Sequence, residues 1–184
     1  GIDIREYDIF ELRSRLGVIP QKAFLFHGTI ADNIRFGKPD ATMEEVEHAA
    51  KVAQAYDFIM EKDHGFEEEI TESATNISGG QKQRLSIARA LVRKPDVYVF
   101  DDSFSALDFK TDAILRKELK KETKDAIVMV VAQRISSIMD ADQIIVLNEG
   151  NVVGKGTHKE LLKNCDIYRE IALSQLSEEE LSHE

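Results

Sequence analysis

The sequence predicts an α/β fold, with a mostly parallel sheet packed between helices. Two observations carry this reading. Residues 97–100 and Ile127–Val131 are unbroken apolar runs rich in β-branched side chains, the pattern of strands buried on both faces of a parallel sheet. Between and before them, near 110–121 and at about 80–93, apolar residues recur instead at helical spacing.

The elements follow in order. Residues 16–20 are a short strand candidate leading into Gln21, and residues 22–38 form a mixed stretch carrying Phe24, Phe26 and Phe36 before a turn at Gly37, Lys38 and Pro39. Thr42 with Glu45 makes a capping box, and Val46, Ala49, Ala50, Ala53 and Tyr56 form an apolar stripe, so one helix is expected from about 43 to 62. An acidic segment at 67–72 leads to Ser78, Gly79, Gly80 and Gln81, a helix start followed by Leu85, Ala88, Leu91 and Val92 at helical spacing, with Pro95 just beyond the end. Residues 143–147 and 151–154, joined through Asn148, Glu149 and Gly150, read as a hairpin at a sheet edge. Thr157 and Glu160 form another capping box for a short helix to about Lys163, a last helix is expected over Asp166–Gln175, and 177–184 reads as a solvated acidic tail.

Composition bounds the function. The 184 residues are 42% hydrophobic, enough for a real core, and carry a net charge of −10, which argues against broad nucleic-acid binding because that affinity comes from Lys and Arg on phosphates. The longest apolar run, 126–132, is far shorter than the roughly 20 residues that cross a bilayer. Membrane work is therefore expected through partners. A lone cysteine, Cys165, forms no internal disulfide and fits a reducing, cytosolic setting. None of the five histidines shows metal-ligand spacing. The chain opens on Gly1 without an initiator Met or a signal core, which reads as a piece of something longer.

Two local patterns point to chemistry. Ser78 followed by Gly79 and Gly80 sets backbone N–H groups at a helix N-terminus with no Cβ in the way; this is either a site for a phosphate anion or a plain Gly-rich cap. Asp101 and Asp102 follow the apolar run at 97–100 and so emerge at the carboxyl end of the sheet, where α/β proteins place ligands. A carboxylate there suits Mg2+, which takes oxygen ligands and keeps several waters; the bland alternative is a polar strand terminus.

Order joins these patterns. Gln21 after a strand, the helical stretch, Ile77-Ser78-Gly79-Gly80-Gln81, then Asp101-Asp102, Ser105-Ala106-Leu107-Asp108 and a strand ending at Ala132-Gln133-Arg134 together resemble the nucleotide-binding domain of ABC transporters. The segment 24–34 is most similar to exporters, and the resemblance runs through Glu160 and Leu161. It implies a P-loop NTPase core of RecA-like type with an inserted helical subdomain. The implied segments are 1–22 (core strand and Q-loop), 23–95 (helical subdomain), 96–176 (core) and 177–184 (tail). It further implies ATP and Mg2+ as cofactors, with Gln21 as the Q-loop glutamine and Asp101 as the Walker B aspartate, both toward Mg2+ through water. Ser78, Gly79, Gly80 and Gln81 become the signature that meets a partner's ATP, and Asp108 the D-loop aspartate. The implied partners are a transmembrane domain and a second nucleotide-binding domain, with location at the cytoplasmic face of the membrane.

Three departures from the family pattern matter. The ATP cradle G-x-x-x-x-G-K-[ST] does not occur in these 184 residues, so they lack the N–H nest and lysine that hold the β- and γ-phosphates, and inactivity of the piece alone is expected. The general-base position, usually Glu, holds Asp102, whose carboxylate is retracted by one methylene from a proton it must reach at about 2.6–3.2 Å. The switch-histidine position holds Gln133, which donates a hydrogen bond but does not titrate near neutrality. An intact signature beside altered hydrolytic positions is the pattern of the degenerate-site half of a heterodimeric exporter. A soluble ABC-type ATPase of DNA maintenance or translation, and a non-enzymatic interaction module, are the competing readings; the first lacks support because there is neither a coiled-coil insertion nor a basic arm.

Overall fold

In the structure, a computed structural model that describes residues 2–71 and 74–176, the chain divides into two units, Gly1–Val131 and Ala132–Glu184. The expected tail at 177–184 lies outside the described residues. In the first unit Asp8 caps a short helix, α1 (Ile9–Ser14), by accepting from the N–H groups of Phe10 and Glu11. Strand β1 (Leu16–Ile19) follows. A two-residue strand β2 (Gly28–Thr29) runs into helix α2 (Ile30–Arg35), capped by a Thr29–Asp32 box. Then come α3 (Met43–Val52), α4 (Tyr56–Met60), β3 (Glu69–Ile70) antiparallel to β2, α5 (Gly79–Leu91), β4 (Val97–Asp101), α6 (Phe109–Glu122) and β5 (Ile127–Val131). Strands β1, β4 and β5 form a parallel sheet in the order β1-β4-β5, so the chain is α/β with a parallel sheet, as expected.

The expected helix over 43–62 is two helices. Gln54 takes φ 56°, its N–H donates to Lys51 O, and the Ala55 N–H reaches back to Ala50 O at 2.7 Å. This is the bonding of a Schellman stop, usually built on glycine; with Gln in the left-handed position there was no local signal to read. The mixed stretch at 22–38 holds β2 and α2, whose cap also went unread.

The expectation of strands buried on both faces is corrected too. Registered rows Ile19–Phe100–Val130 and Gly17–Tyr98–Val128 share one face, on which Ile19, Tyr98 and Phe100 are buried. Burial pushes the Tyr98 hydroxyl up to about 12. The opposite face carries Val18, Ile127, Met129 and Val131, each more than half exposed, because no described helix of the first unit covers it.

A buried polar anchor ties the 24–36 segment to α5. Asn33, only 2% exposed, donates from Nδ2 to Phe26 O and Thr29 O and accepts from the Phe26 N–H at 2.8 Å. Arg89 of α5 donates to Asn33 O at 2.8 Å, Asn33 Oδ1 at 2.9 Å and Phe24 O at 2.9 Å. Its guanidinium lies 5.1 Å from the Phe26 ring centre, and Phe26 stacks on Phe36. Burial pushes Arg89 down to about 10, still cationic at neutral pH. Close approach is made possible by Gly37, where a Cβ would fall 2.0 Å from Arg89 O.

In the second unit β6 (Ile144–Asn148) and β7 (Asn151–Gly156) form an antiparallel hairpin. Its turn residues Glu149 (φ 49°) and Gly150 (φ 78°) are both left-handed, the signature of a tight hairpin turn. The expected hairpin is present, but as a two-stranded sheet of its own among the described residues rather than an edge addition. Helices α7 (His158–Asn164) and α8 (Asp166–Gln175) complete the unit, with Ile144, Val146, Leu161, Cys165, Tyr168 and Ala172 in its core. His158 is buried and pairs its Nδ1 with the Tyr168 hydroxyl at 2.7 Å.

Two expectations follow. Replacing Arg89 by Met leaves two part-buried acceptors on Asn33 and the exposed Phe24 carbonyl with fewer donors, and is expected to destabilise the first unit by about 3 kcal/mol, read from urea-denaturation midpoints; Phe24→Ala, at an exposed ring, should cost less than about 1 kcal/mol. The open apolar face of the sheet is expected to make the 184-residue chain self-associate, visible by light scattering, and a stable monomer with a high melting temperature would count against this.

Candidate functional site

Parallel pairing places the carboxyl ends of β1 and β4 side by side, with Ile19 opposite Phe100. Two residues further on, Gln21 reaches Asp102: its Nε2 donates to Asp102 Oδ2 at 3.2 Å, across 81 residues of sequence. Asp101 ends β4 and is exposed. Asp102 follows at φ 43° with its N–H donating to Val131 O at 2.8 Å. Aspartate enters the left-handed region more readily than longer side chains, because its short polar group bonds locally. The backbone here thus suits Asp, a reason for the residue that sequence comparison with the family pattern does not supply.

Two side chains hold this edge in place. Ser103, fully buried, donates from Oγ to Ile19 O at 2.8 Å. Gln83 of α5, 2% exposed, donates from Nε2 to Pro20 O at 3.1 Å. The carbonyls just ahead of Gln21 are therefore held by the turn that follows β4 on one side and by α5 on the other.

The N-terminus of α5 is a complete capping box: Ser78 Oγ accepts from the Gln81 N–H at 3.3 Å, and Gln81 Oε1 accepts from the Ser78 N–H at 3.0 Å. Ser78 and Gly79 are exposed, and a Cβ at Gly79 would meet nothing within 4 Å. At Gly80 a Cβ would come 3.2 Å from Ala106 O, so this glycine lets the helix start press against the 105–108 turn. Within that turn Ser105 Oγ donates to Asp102 O at 2.9 Å. Asp108 caps α6, accepting from the Thr111 N–H at 3.0 Å, and that backbone bond holds its carboxyl below the usual carboxylate range. Behind the α5 start, Arg84 donates to Gln54 O at 2.6 Å and lies over the Phe58 ring; burial lowers its guanidinium pKa.

Gln133 lies in the second unit and is exposed. Its carbonyl accepts from Gln175 Nε2 at 2.8 Å, and Gln175 Oε1 accepts from the Ile135 N–H at 2.8 Å, so the end of α8 fixes the segment that carries Gln133. Of the residues singled out in the sequence, the structure brings Gln21, Asp101 and Asp102 together at one strand edge and sets Gly80 against the 105–108 turn.

The donor set at the β4 edge is made of oxygens and an amide, which fits Mg2+ chemistry. Among the described residues no three His, Cys, Asp or Glu cluster to enclose a metal, so such an ion would be held by Asp101 and Gln21 together with water and phosphate oxygens. Sequence reading missed Gln83, Ser103 and Gln175 as working residues. Gln83 had a usable signal, a polar residue on the same helical stripe as Gly80 and Ile87, since buried amides need partners. Ser103 and Gln175 had none.

The sequence profile of the ABC transporter family matches residues 1–105. Uncharacterized ABC transporter ATP-binding proteins of Mycobacterium bovis and Mycobacterium tuberculosis are each 48% identical over 178 residues, covering 95% of this chain and 30% of their own length. A Bacillus subtilis protein named for multidrug export as an ATP-binding/permease protein is 42% identical over 171 residues, covering 93% of this chain and 30% of its own length. The chain thus spans about 30% of the length of these curated relatives. A solved bacterial Atm1-family ABC exporter with ATP bound superposes with a TM-score of 0.92 at 37% identity, over 97% of this chain and 31% of that one. Profile, relatives and fold agree, and the chain belongs to the ABC transporter family, of which it represents the nucleotide-binding domain of exporter type.

Proposed function

We propose that this chain serves a whole protein that hydrolyses ATP to drive export of a substrate across a membrane. The observation that carries this is the Gln21–Asp102 hydrogen bond at the carboxyl ends of two adjacent parallel strands, with Asp101 exposed beside it. Asp101 and Gln21 would hold Mg2+ through water, and the ion would offset charge on the phosphates at the scissile bond. Asp102 occupies the general-base position, and Gln21 orients its carboxylate. At the other end of the site's logic, α5 presents Ser78, Gly79, Gly80 and Gln81 outward as the anion-binding start of a 13-residue helix. The Ser78 hydroxyl accepts its capping bond and so keeps its own proton for a phosphate oxygen. Our reading is that this surface completes an ATP site on a second nucleotide-binding domain, and that a transmembrane domain of the same protein is the coupled partner, at the cytoplasmic face of the membrane. No helix of the described residues is long and apolar enough to cross a membrane. Asp108 joins the contact between domains from the cap of α6.

We further read the pair as heterodimeric. Asp102 stands where the family pattern has Glu and Gln133 where it has His; both alterations weaken proton abstraction and γ-phosphate sensing at one site while the signature stays intact. In the whole protein paired with its partner, Asp102→Glu combined with Gln133→His is expected to raise ATP turnover, and unchanged or reduced turnover would contradict the degenerate-site reading. The 184-residue chain on its own, which contains no G-x-x-x-x-G-K-[ST], is expected to bind magnesium-ATP only weakly by isothermal titration calorimetry. Micromolar affinity would show that the missing loop is not decisive.

A further inference from the structure

Gln83 is a neutral amide buried on α5, whose other buried residues are Leu85, Ser86, Ile87, Ala88, Ala90 and Leu91. Burying an amide is costly unless it is bonded, and the bond Gln83 makes is specific: Nε2 to Pro20 O at 3.1 Å, across 63 residues. Pro20 has no N–H, and its ring sets φ near −65°. The remaining freedom of that residue is the rotation that swings its carbonyl, and the same peptide plane carries the Gln21 nitrogen. One residue earlier, the Ile19 carbonyl is held by Ser103 Oγ at 2.8 Å. With two successive carbonyls fixed, the chain leaves β1 in one direction, and the Gln21 amide arrives at Asp102 Oδ2 at 3.2 Å.

We infer that Gln83 is a positioning residue, a tether by which helix α5 sets the Gln21 side chain and, through it, the Asp102 carboxylate. This rests on the ATPase reading above and deepens it. Ser78–Gln81 and Gln83 sit on the first two turns of one helix, which moves as a rigid element. Engagement of a phosphate at the helix start therefore has a mechanical route to Gln21 at the other nucleotide's hydrolytic edge: a shift of α5 pulls on the Pro20 carbonyl.

The test uses the whole protein carrying this chain, with two variants and two independent readouts. Gln83→Met keeps length and apolar packing but removes the donor. With the partner domain's own hydrolytic site inactivated, so that turnover reports this chain's edge alone, it is expected to lower kcat for ATP roughly tenfold, the effect of one lost positioning hydrogen bond, with KM for magnesium-ATP within about twofold. Amide hydrogen exchange over residues 19–24 is expected to rise, with the rest of α5 unchanged. Gln83→Glu places a carboxyl that donates to Pro20 O only when protonated, so its kcat relative to wild type should recover as pH is lowered. If Gln83→Met also lowers the melting temperature, this pH ratio decides: recovery supports the tether, a flat ratio overturns it. Hydrolysis at the wild-type rate in Gln83→Met with unchanged exchange at 19–24 overturns the tether while leaving the ATPase reading intact. A wild-type protein that hydrolyses no ATP, with exchange at 19–24 raised in Gln83→Met, sinks the ATPase reading and leaves the tether standing.

Discussion

The pairing of β1 with β4 is the constraint on which the functional edge depends. Four registered residues put Ile19 beside Phe100, both buried, and the parallel direction makes both strands finish at the same end. A slip of β1 by one residue would turn Ile19 out of the core and bring the exposed Val18 in, so the register is strongly specified despite the shortness of β1. Everything polar at that end is built on backbone atoms this register positions: the Ile19 carbonyl that Ser103 holds, the Pro20 carbonyl that Gln83 holds, and the Val131 carbonyl that receives the Asp102 N–H. Side chains 81 residues apart meet because two backbones do.

A second layer of order comes from buried polar groups rather than apolar area. Asn33 has its amide oxygen and nitrogen satisfied by Phe26, Thr29 and Arg89, and Arg89 spreads three donors over one short segment. Such a network costs desolvation, reflected in the lowered Arg89 pKa, and in exchange it defines one conformation for a stretch with little regular structure. The arrangement leaves Phe24 and Phe36 exposed at 64% and 63% on a segment that is held firmly from beneath.

Legibility in the sequence followed the range of the interaction. Capping boxes at Thr42, Ser78 and Thr157 were readable because cap and partner lie three residues apart, and all three form. The hairpin through Glu149 and Gly150 was readable from its turn. The break at Gln54 was not, because a left-handed stop built on glutamine is enforced by backbone bonds to Ala50 and Lys51 and by packing, with no residue preference to announce it. Burial of the strands was misjudged for a related reason: an apolar run states what a strand could bury, while the number of covered faces depends on which other elements lie against it. Asp102 was read as a shortened base, and only its φ of 43° showed that the backbone itself suits aspartate.

Sequence by itself determined the family, the order of the motifs and the identity of the residues at each, because those are properties of local spacing that survive without coordinates. It determined the α/β class as well, through the change from helical to strand-like periodicity near residue 96. Tertiary structure alone decided that Gln21 meets Asp102, that Gly80 is a glycine for the sake of Ala106, and that Gln83 and Ser103 work together on consecutive carbonyls. These are contacts across 26 to 84 residues of chain, and their geometry is set by strand register and helix packing, which no local pattern of side chains encodes.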